Sequence, residues 1–266
     1  GAQAMRAVLI LIAALALAAP ALMREPAAQA APLSEHVAIR LPDAASGPVP
    51  AVLMFAGCGG VRQVQEDYAE TALAAGWAAV IVDSHAARGI GRLGARLTVC
   101  TALRLRGAAR AADVFESLEI IGADDRLDAS RLVLTGWSHG GWTVLDALAM
   151  AEAGEAPALS GVRAAFLLYP YCGLLTIADD APIGSDIPVT MILAGRDRVV
   201  SAAACRDLAD ERRAEGAQIT IIEEPDLTHA FDAPDQPADP RMRYDAEGAA
   251  RARTHLAEVL ERAGGR

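Results

Sequence analysis

From Glu35 onward the chain alternates short apolar runs with longer stretches in which apolar residues recur every three or four positions. Glu35 to Leu41 alternates polar and apolar residues as an edge strand does, and residues 42–50 read as a turn region of proline, glycine and serine. Unbroken apolar runs follow at Ala51 to Ala56, Trp77 to Val82, Leu132 to Thr135, Ala164 to Leu168, Val189 to Ala194 and Ile219 to Ile222. Between them, helical periodicity predicts helices at Gln63 to Ala75, Leu97 to Ile121, Trp142 to Ala153, Ala202 to Glu215 and Asp245 to Ala263. A strand that is apolar along its whole length is buried on both faces, and parallel strands need crossovers, which the intervening helices supply. The expected fold is therefore α/β, with a doubly wound, mostly parallel sheet and helices on both faces. Such sheets collect reactive side chains on the loops at the carboxyl ends of their strands.

The most informative of those loops is Gly136-Trp137-Ser138-His139-Gly140-Gly141, between a strand and a helix. A chain that turns there directly from strand to helix strains the central serine and exposes its hydroxyl, while the flanking glycines let the two elements approach. Ser138 is the candidate nucleophile. A serine hydroxyl needs an imidazole to take its proton, and the imidazole needs a carboxylate to fix its tautomer and balance the charge it acquires. Both follow, each just past its own strand: Asp197 in Gly195-Arg196-Asp197-Arg198, and His229 in Thr228-His229-Ala230-Phe231. Taken singly, Asp197 reads as a solvated or helix-capping acid and His229 as a surface residue. The order nucleophile, acid, histidine is the one α/β-hydrolases show.

Attack on a carbonyl creates an oxyanion that needs donors. One is expected from the backbone N–H of His139. The second is expected from the glycine-rich loop Phe55-Ala56-Gly57-Cys58-Gly59-Gly60, through the N–H of Cys58 or of Gly59. A phosphate loop is excluded there, because neither G-x-G-x-x-G nor G-x-x-x-x-G-K-[ST] fits these residues. The side chain of His139 is expected to pack at the turn, and His85, at a strand end, to line the pocket. His36 and His255 fall away from the site and receive no role.

Composition narrows the partners. The 266 residues carry 24 basic and 34 acidic side chains, a net charge of −10, with arginines interleaved among acids. That balance argues against a nucleic-acid surface, and the partner expected from the serine chemistry is a small-molecule ester. Residues 1–30 have the form of a signal peptide: Met5-Arg6, an apolar stretch from Ala7 to Ala19, Pro20, and the small-x-small sequence Ala28-Gln29-Ala30. Gly1 to Ala4 precede the expected start at Met5. The apolar stretch is short for a span of about 20 residues, so cleavage without a lasting membrane anchor is expected, with a retained anchor as the alternative. Residues 31–266 then form one domain, periplasmic or secreted.

These features together resemble the dienelactone hydrolase family of α/β-hydrolases, in its exported, serine-bearing form, over nearly all of residues 35–262. The resemblance rests on Ala56-Gly57-Cys58-Gly59-Gly60, Asp83-Ser84 with Arg88-Gly89, Gly136 to Gly141, Tyr169-Pro170, Gly195-Arg196-Asp197 and His229-Ala230-Phe231. It implies cleavage of a carboxylic ester through an acyl-enzyme, with no metal or organic cofactor. The namesake enzymes use a cysteine where this chain has Ser138, and a glutamate where it has Gly57-Cys58, so their lactone substrate is not implied. A prolyl oligopeptidase-type peptidase and a catalytically silent binding protein remain the alternatives.

An exported chain with four cysteines permits two disulfides. No C-x-x-C pair and no cysteine near a histidine suggests a metal site. Cys58 and Cys100 follow the strands ending at Ala56 and Val82, and Cys172 and Cys205 follow those ending at Leu168 and Ala194. Pairs Cys58–Cys100 and Cys172–Cys205 are therefore expected, against the alternative of four buried thiols.

Overall fold

A computed structural model describes residues 31–43, 45–184 and 186–265. The expected signal peptide, residues 1–30, lies outside them. The apolar runs become strands: β1 (Val37–Arg40), β2 (Val49–Phe55), β3 (Ala78–Val82), β4 (Leu127–Trp137), β5 (Val162–Leu168), β6 (Val189–Ala194) and β7 (Ile219–Glu224). They form one sheet in the order β1-β3-β2-β4-β5-β6-β7. Only β1 runs antiparallel, against β3; every other pairing is parallel.

Among the described residues, five long helices cover the sheet: α1 (Gln63–Ala74), α2 (Gly107–Gly122), α3 (His139–Glu152), α4 (Ala202–Ala214) and α5 (Ala246–Gly264). The pleat shows why the central strands are apolar throughout. Ala51, Leu53 and Phe55 of β2 point into the layer built with α2, α3 and α4, whereas Val52 and Met54 point into the layer with α1 and α5. Helix α3 has no solvent-facing stripe in its first three turns, since every residue from His139 to Ala149 is buried, including the polar His139, Thr143 and Asp146.

The expected helix from Leu97 to Ile121 is only half formed. Ala95–Val99 makes one wide turn, Ala102 and Leu105 adopt positive φ of 56° and 48°, and α2 starts at Gly107. The apolar periodicity of 97–106 is real, but Cys100 is tied back to Cys58, and a straight helix from Leu97 could not serve both that bond and α2. Leu97 and Leu103 are exposed as a result.

Candidate active site

Ser138 occupies the sharp turn from β4 into α3, with φ 51° and ψ −111°. Its neighbours make that turn possible: a Cβ on Gly140 would sit 1.9 Å from the Phe55 carbonyl oxygen, and one on Gly136 would sit 2.4 Å from that of Gly140. Parallel pairing places the ends of β4, β6 and β7 along one edge of the sheet, and the expected residues meet there. His229 Nε2 lies 3.0 Å from Ser138 Oγ, and His229 Nδ1 lies 2.7 Å from Asp197 Oδ2. The other oxygen of Asp197 accepts the Val199 and Val200 N–H groups at 2.8 and 2.9 Å. The carboxylate is thereby oriented by its own loop, and the imidazole by the carboxylate. The His229 and Asp197 side chains are almost wholly buried, which keeps water from competing for their hydrogen bond.

The glycine-rich loop runs against the nucleophile; a Cβ built on Gly57 would lie 3.7 Å from that of Ser138. A turn from the Gly60 N–H to the Gly57 carbonyl, 3.1 Å, curls it. Among the described residues the N–H groups of Cys58, Gly59 and His139 donate to no backbone carbonyl in a turn or loop. The loop is tied down by the Cys58–Cys100 disulfide, and Cys172–Cys205 joins the segment after β5 to the first turn of α4, just beyond Asp197. Both expected pairings are present, and no described cysteine is free.

His139 and His85 both turn away from solvent. The His139 ring is buried at the elbow, stacking edge-on to Trp142 at 5.1 Å. The expectation that His85 lines the pocket is not met: it is 3 % exposed and packs under the loop beside Gly60. Burial and the nearby Arg110 push the His85 imidazole down to about 3, and the same two causes hold His139 well below the usual range, so both rings are neutral.

Two buried charges near this site had no distinguishing mark in the sequence. Asp232, three residues beyond His229, accepts hydrogen bonds from Tyr169 Oη at 2.6 Å, Tyr68 Oη at 2.8 Å and Trp137 Nε1 at 3.2 Å. Burial pushes its carboxyl above the ordinary range while those three donors pull it back. Tyr169 in turn stacks on His229 with ring centres 4.7 Å apart, and Trp137 directly precedes the nucleophile. Arg110, in the first turn of α2, is fully buried below the glycine-rich loop. A cavity of about 580 Å³ flanks the Asp197 loop, lined by Arg196, Arg198, Arg243 and Tyr244 among others, but neither Ser138 nor His229 reaches it.

The model of the dienelactone hydrolase family matches residues 36–264. The chain belongs to that family. Solved structures of similar fold include a protein of Klebsiella pneumoniae subsp. pneumoniae assigned as a dienelactone hydrolase, 19 % identical, covering 85 % of this chain and 92 % of that one with a TM-score of 0.67. A dienelactone hydrolase-like promiscuous phosphotriesterase from metagenomic libraries is 17 % identical over 85 % of this chain and 98 % of its own, with a TM-score of 0.67. A thermophilic esterase of the planctomycete Thermogutta terrifontis, solved with propionate bound, is 17 % identical over 84 % and 87 %, with a TM-score of 0.62. No curated protein matches the chain. No described cluster of three histidine, cysteine or acidic side chains could hold a metal ion, and no described helix is long and apolar enough to cross a membrane.

Proposed function

We propose that this dienelactone hydrolase family member is an exported serine esterase that cleaves small carboxylic esters through an acyl-enzyme. The observation that carries the reading is the unbroken hydrogen-bonded chain Ser138–His229–Asp197 at the carboxyl edge of the sheet. In this mechanism Ser138 Oγ bonds to the acyl carbon as its proton passes to His229 Nε2, and Asp197 stabilises the resulting imidazolium. The N–H groups of His139 and of Cys58 or Gly59 hold the oxyanion; each such donor typically supplies about 3 to 4 kcal/mol of transition-state stabilisation. The intermediate collapses, the C–O bond to the alcohol breaks, and the alcohol leaves with the proton from His229. Water then repeats the sequence, giving up its proton to His229 and releasing the acid and free Ser138. No metal or organic cofactor takes part in this scheme. Export would remove residues 1–30 and leave Ala31 at the N-terminus of a single catalytic domain, and the two disulfides suit an oxidising compartment.

The test is labelling by a fluorophosphonate probe, with turnover measured on p-nitrophenyl esters of increasing chain length beside peptide amides. Ser138→Ala is expected to abolish labelling and to lower kcat by several orders of magnitude while the fold persists. Amide turnover exceeding ester turnover would favour a peptidase, and an unlabelled wild-type protein would indicate a silent binding scaffold.

A further inference from the structure

Arg110 is a buried cation with no direct ion-pair partner among the described residues; Asp113 and Asp83 attract it only from beyond contact distance. Its residue is 0 % exposed. Asp113, the acid one turn further along α2, is held by Arg88 through two hydrogen bonds of 2.8 Å each. The Arg110 donors go elsewhere: Nε to Ser84 Oγ at 2.9 Å and Nη1 to the Ala56 carbonyl at 2.7 Å, with His139 Nδ1 3.2 Å from the same Nη1. Nη2 has no partner among the described residues. A guanidinium only donates, so His139 Nδ1 accepts and the ring carries its proton on Nε2. With His139 and His85 neutral, Arg110 is the one charged member of this cluster; burial lowers it, but only to about 10, far above neutral pH.

Burying a guanidinium without a direct ion pair is costly, so the partners it does hold bear on its role. What Nη1 touches is informative. Ala56 leads directly into Gly57, Cys58 and Gly59, and His139 directly follows Ser138, so one nitrogen links the two segments that supply the oxyanion donors. Because a peptide unit is planar and trans, holding the Ala56 carbonyl also sets the direction of the Gly57 N–H and the path of the amides that follow.

We propose that Arg110 is the positioning residue of the oxyanion hole: it aligns the two donor segments through the Ala56 carbonyl and the His139 ring, and its buried charge favours the negative oxygen. This role rests on the esterase reading above. Aligned donors and a fixed charge act on the tetrahedral oxyanion more than on the neutral ester, so the effect falls on kcat rather than on KM.

The test compares wild type, Arg110→Met and Arg110→Lys, each checked for folding by circular dichroism, for fluorophosphonate labelling, for p-nitrophenyl ester kinetics and for inhibition by a trifluoromethyl ketone, which forms a tetrahedral adduct. Arg110→Met is expected to lose about tenfold to hundredfold in kcat, less than loss of a direct oxyanion donor, with KM within about threefold of wild type. Affinity for the ketone should fall by the same factor as kcat/KM. Arg110→Lys keeps the charge but cannot hold all three acceptors, and should fall between the two. Wild-type ketone affinity in folded Arg110→Met, or in Arg110→Lys should the methionine variant not fold, overturns the proposal, as does a loss carried by KM alone. A wild type that neither labels nor turns over ester overturns the esterase reading and this role with it. A labelled, active wild type with Arg110-independent affinity overturns this role alone.

Discussion

Removing the carboxylate of Asp232 should expose how much of the site's rigidity depends on one buried acid. In Asp232→Ala, Tyr68 Oη, Tyr169 Oη and Trp137 Nε1 all lose their acceptor in a region without solvent access. A buried donor left unpaired costs about 1 to 3 kcal/mol, so three give about 3 to 9 kcal/mol before any relaxation. Loss of a carboxylate that burial already disfavours offsets part of this, as does water entering the space left behind, and a net destabilisation of about 4 kcal/mol is expected. Asp232→Asn should behave differently. Its amide oxygen can take the Oδ2 place and keep the Tyr68 and Trp137 donors, while its NH2 faces Tyr169 Oη, which can turn to accept. Only the Tyr169 hydroxyl proton is then orphaned, a cost of about 1 to 2 kcal/mol. Urea denaturation of the three proteins gives both numbers. In thermal melts the alanine variant should fall by about 8 to 16 °C, at roughly 2 to 4 °C per kcal/mol for a domain of this size. The asparagine variant should also retain more turnover, because Tyr169 stays stacked on His229. An alanine variant within about 1 kcal/mol of wild type, or an asparagine variant as damaged as the alanine one, would refute the assignment of three satisfied donors to this carboxylate.

Asp146, buried in α3 with Oδ1 accepting the Ile177 N–H at 2.7 Å, is pushed by burial up to about 7. The folded state then holds a proton that the unfolded chain has already lost, so stability should decline by about 4 kcal/mol as pH rises from about 4 to 7 and level off above; denaturation curves of wild type and Asp146→Asn that stay parallel across this range would contradict it. Each disulfide closes a span long enough, 42 and 33 residues, for a nominal stabilisation of roughly 4 kcal/mol, so the paired Cys58→Ser/Cys100→Ser and Cys172→Ser/Cys205→Ser variants should melt well below wild type. Non-reducing peptide mapping should recover these two links; a Cys58–Cys172 peptide would overturn the pairing. Gly140→Ala drives a methyl into the Phe55 carbonyl and should destabilise by more than about 3 kcal/mol, seen as insoluble protein or a broad melt; a soluble variant with a wild-type melting curve would show that the elbow relaxes at little cost.

The layer order, the strand ends and the Ser138–Asp197–His229 constellation were legible in the sequence because each depends on a local pattern. Five of the six apolar runs are strands buried on both faces, while the sixth, β7, lies at the sheet edge and leaves Thr220 exposed with Ile221 and Ile222 only partly covered; a parallel sheet of such strands brings its carboxyl ends to one edge. The G-x-S-x-G turn, the acid after β6 and the histidine after β7 are each tied to the end of a strand, so their meeting followed from topology. The disulfide pairing followed by the same reasoning, since Cys58 and Cys100 follow the neighbouring strands β2 and β3, and Cys172 and Cys205 follow the neighbouring strands β5 and β6.

Only the tertiary structure decided what the charged and aromatic residues between those landmarks do. Helical periodicity over Leu97–Arg106 could not reveal that a disulfide to the opposite loop would break the helix, because the constraint comes from a residue about 40 positions away. His85, predicted to line a pocket, is buried because the glycine-rich loop folds over it. Arg110 and Asp232 look in the sequence like any arginine in a helix and any aspartate in a loop, one on a face that also carries apolar residues and one two residues before Pro234. A side chain's charge is a property of the residue, whereas its desolvation and its partners belong to the packed neighbourhood; that neighbourhood is assembled by segments far apart in the chain and so is written in no local stretch of it.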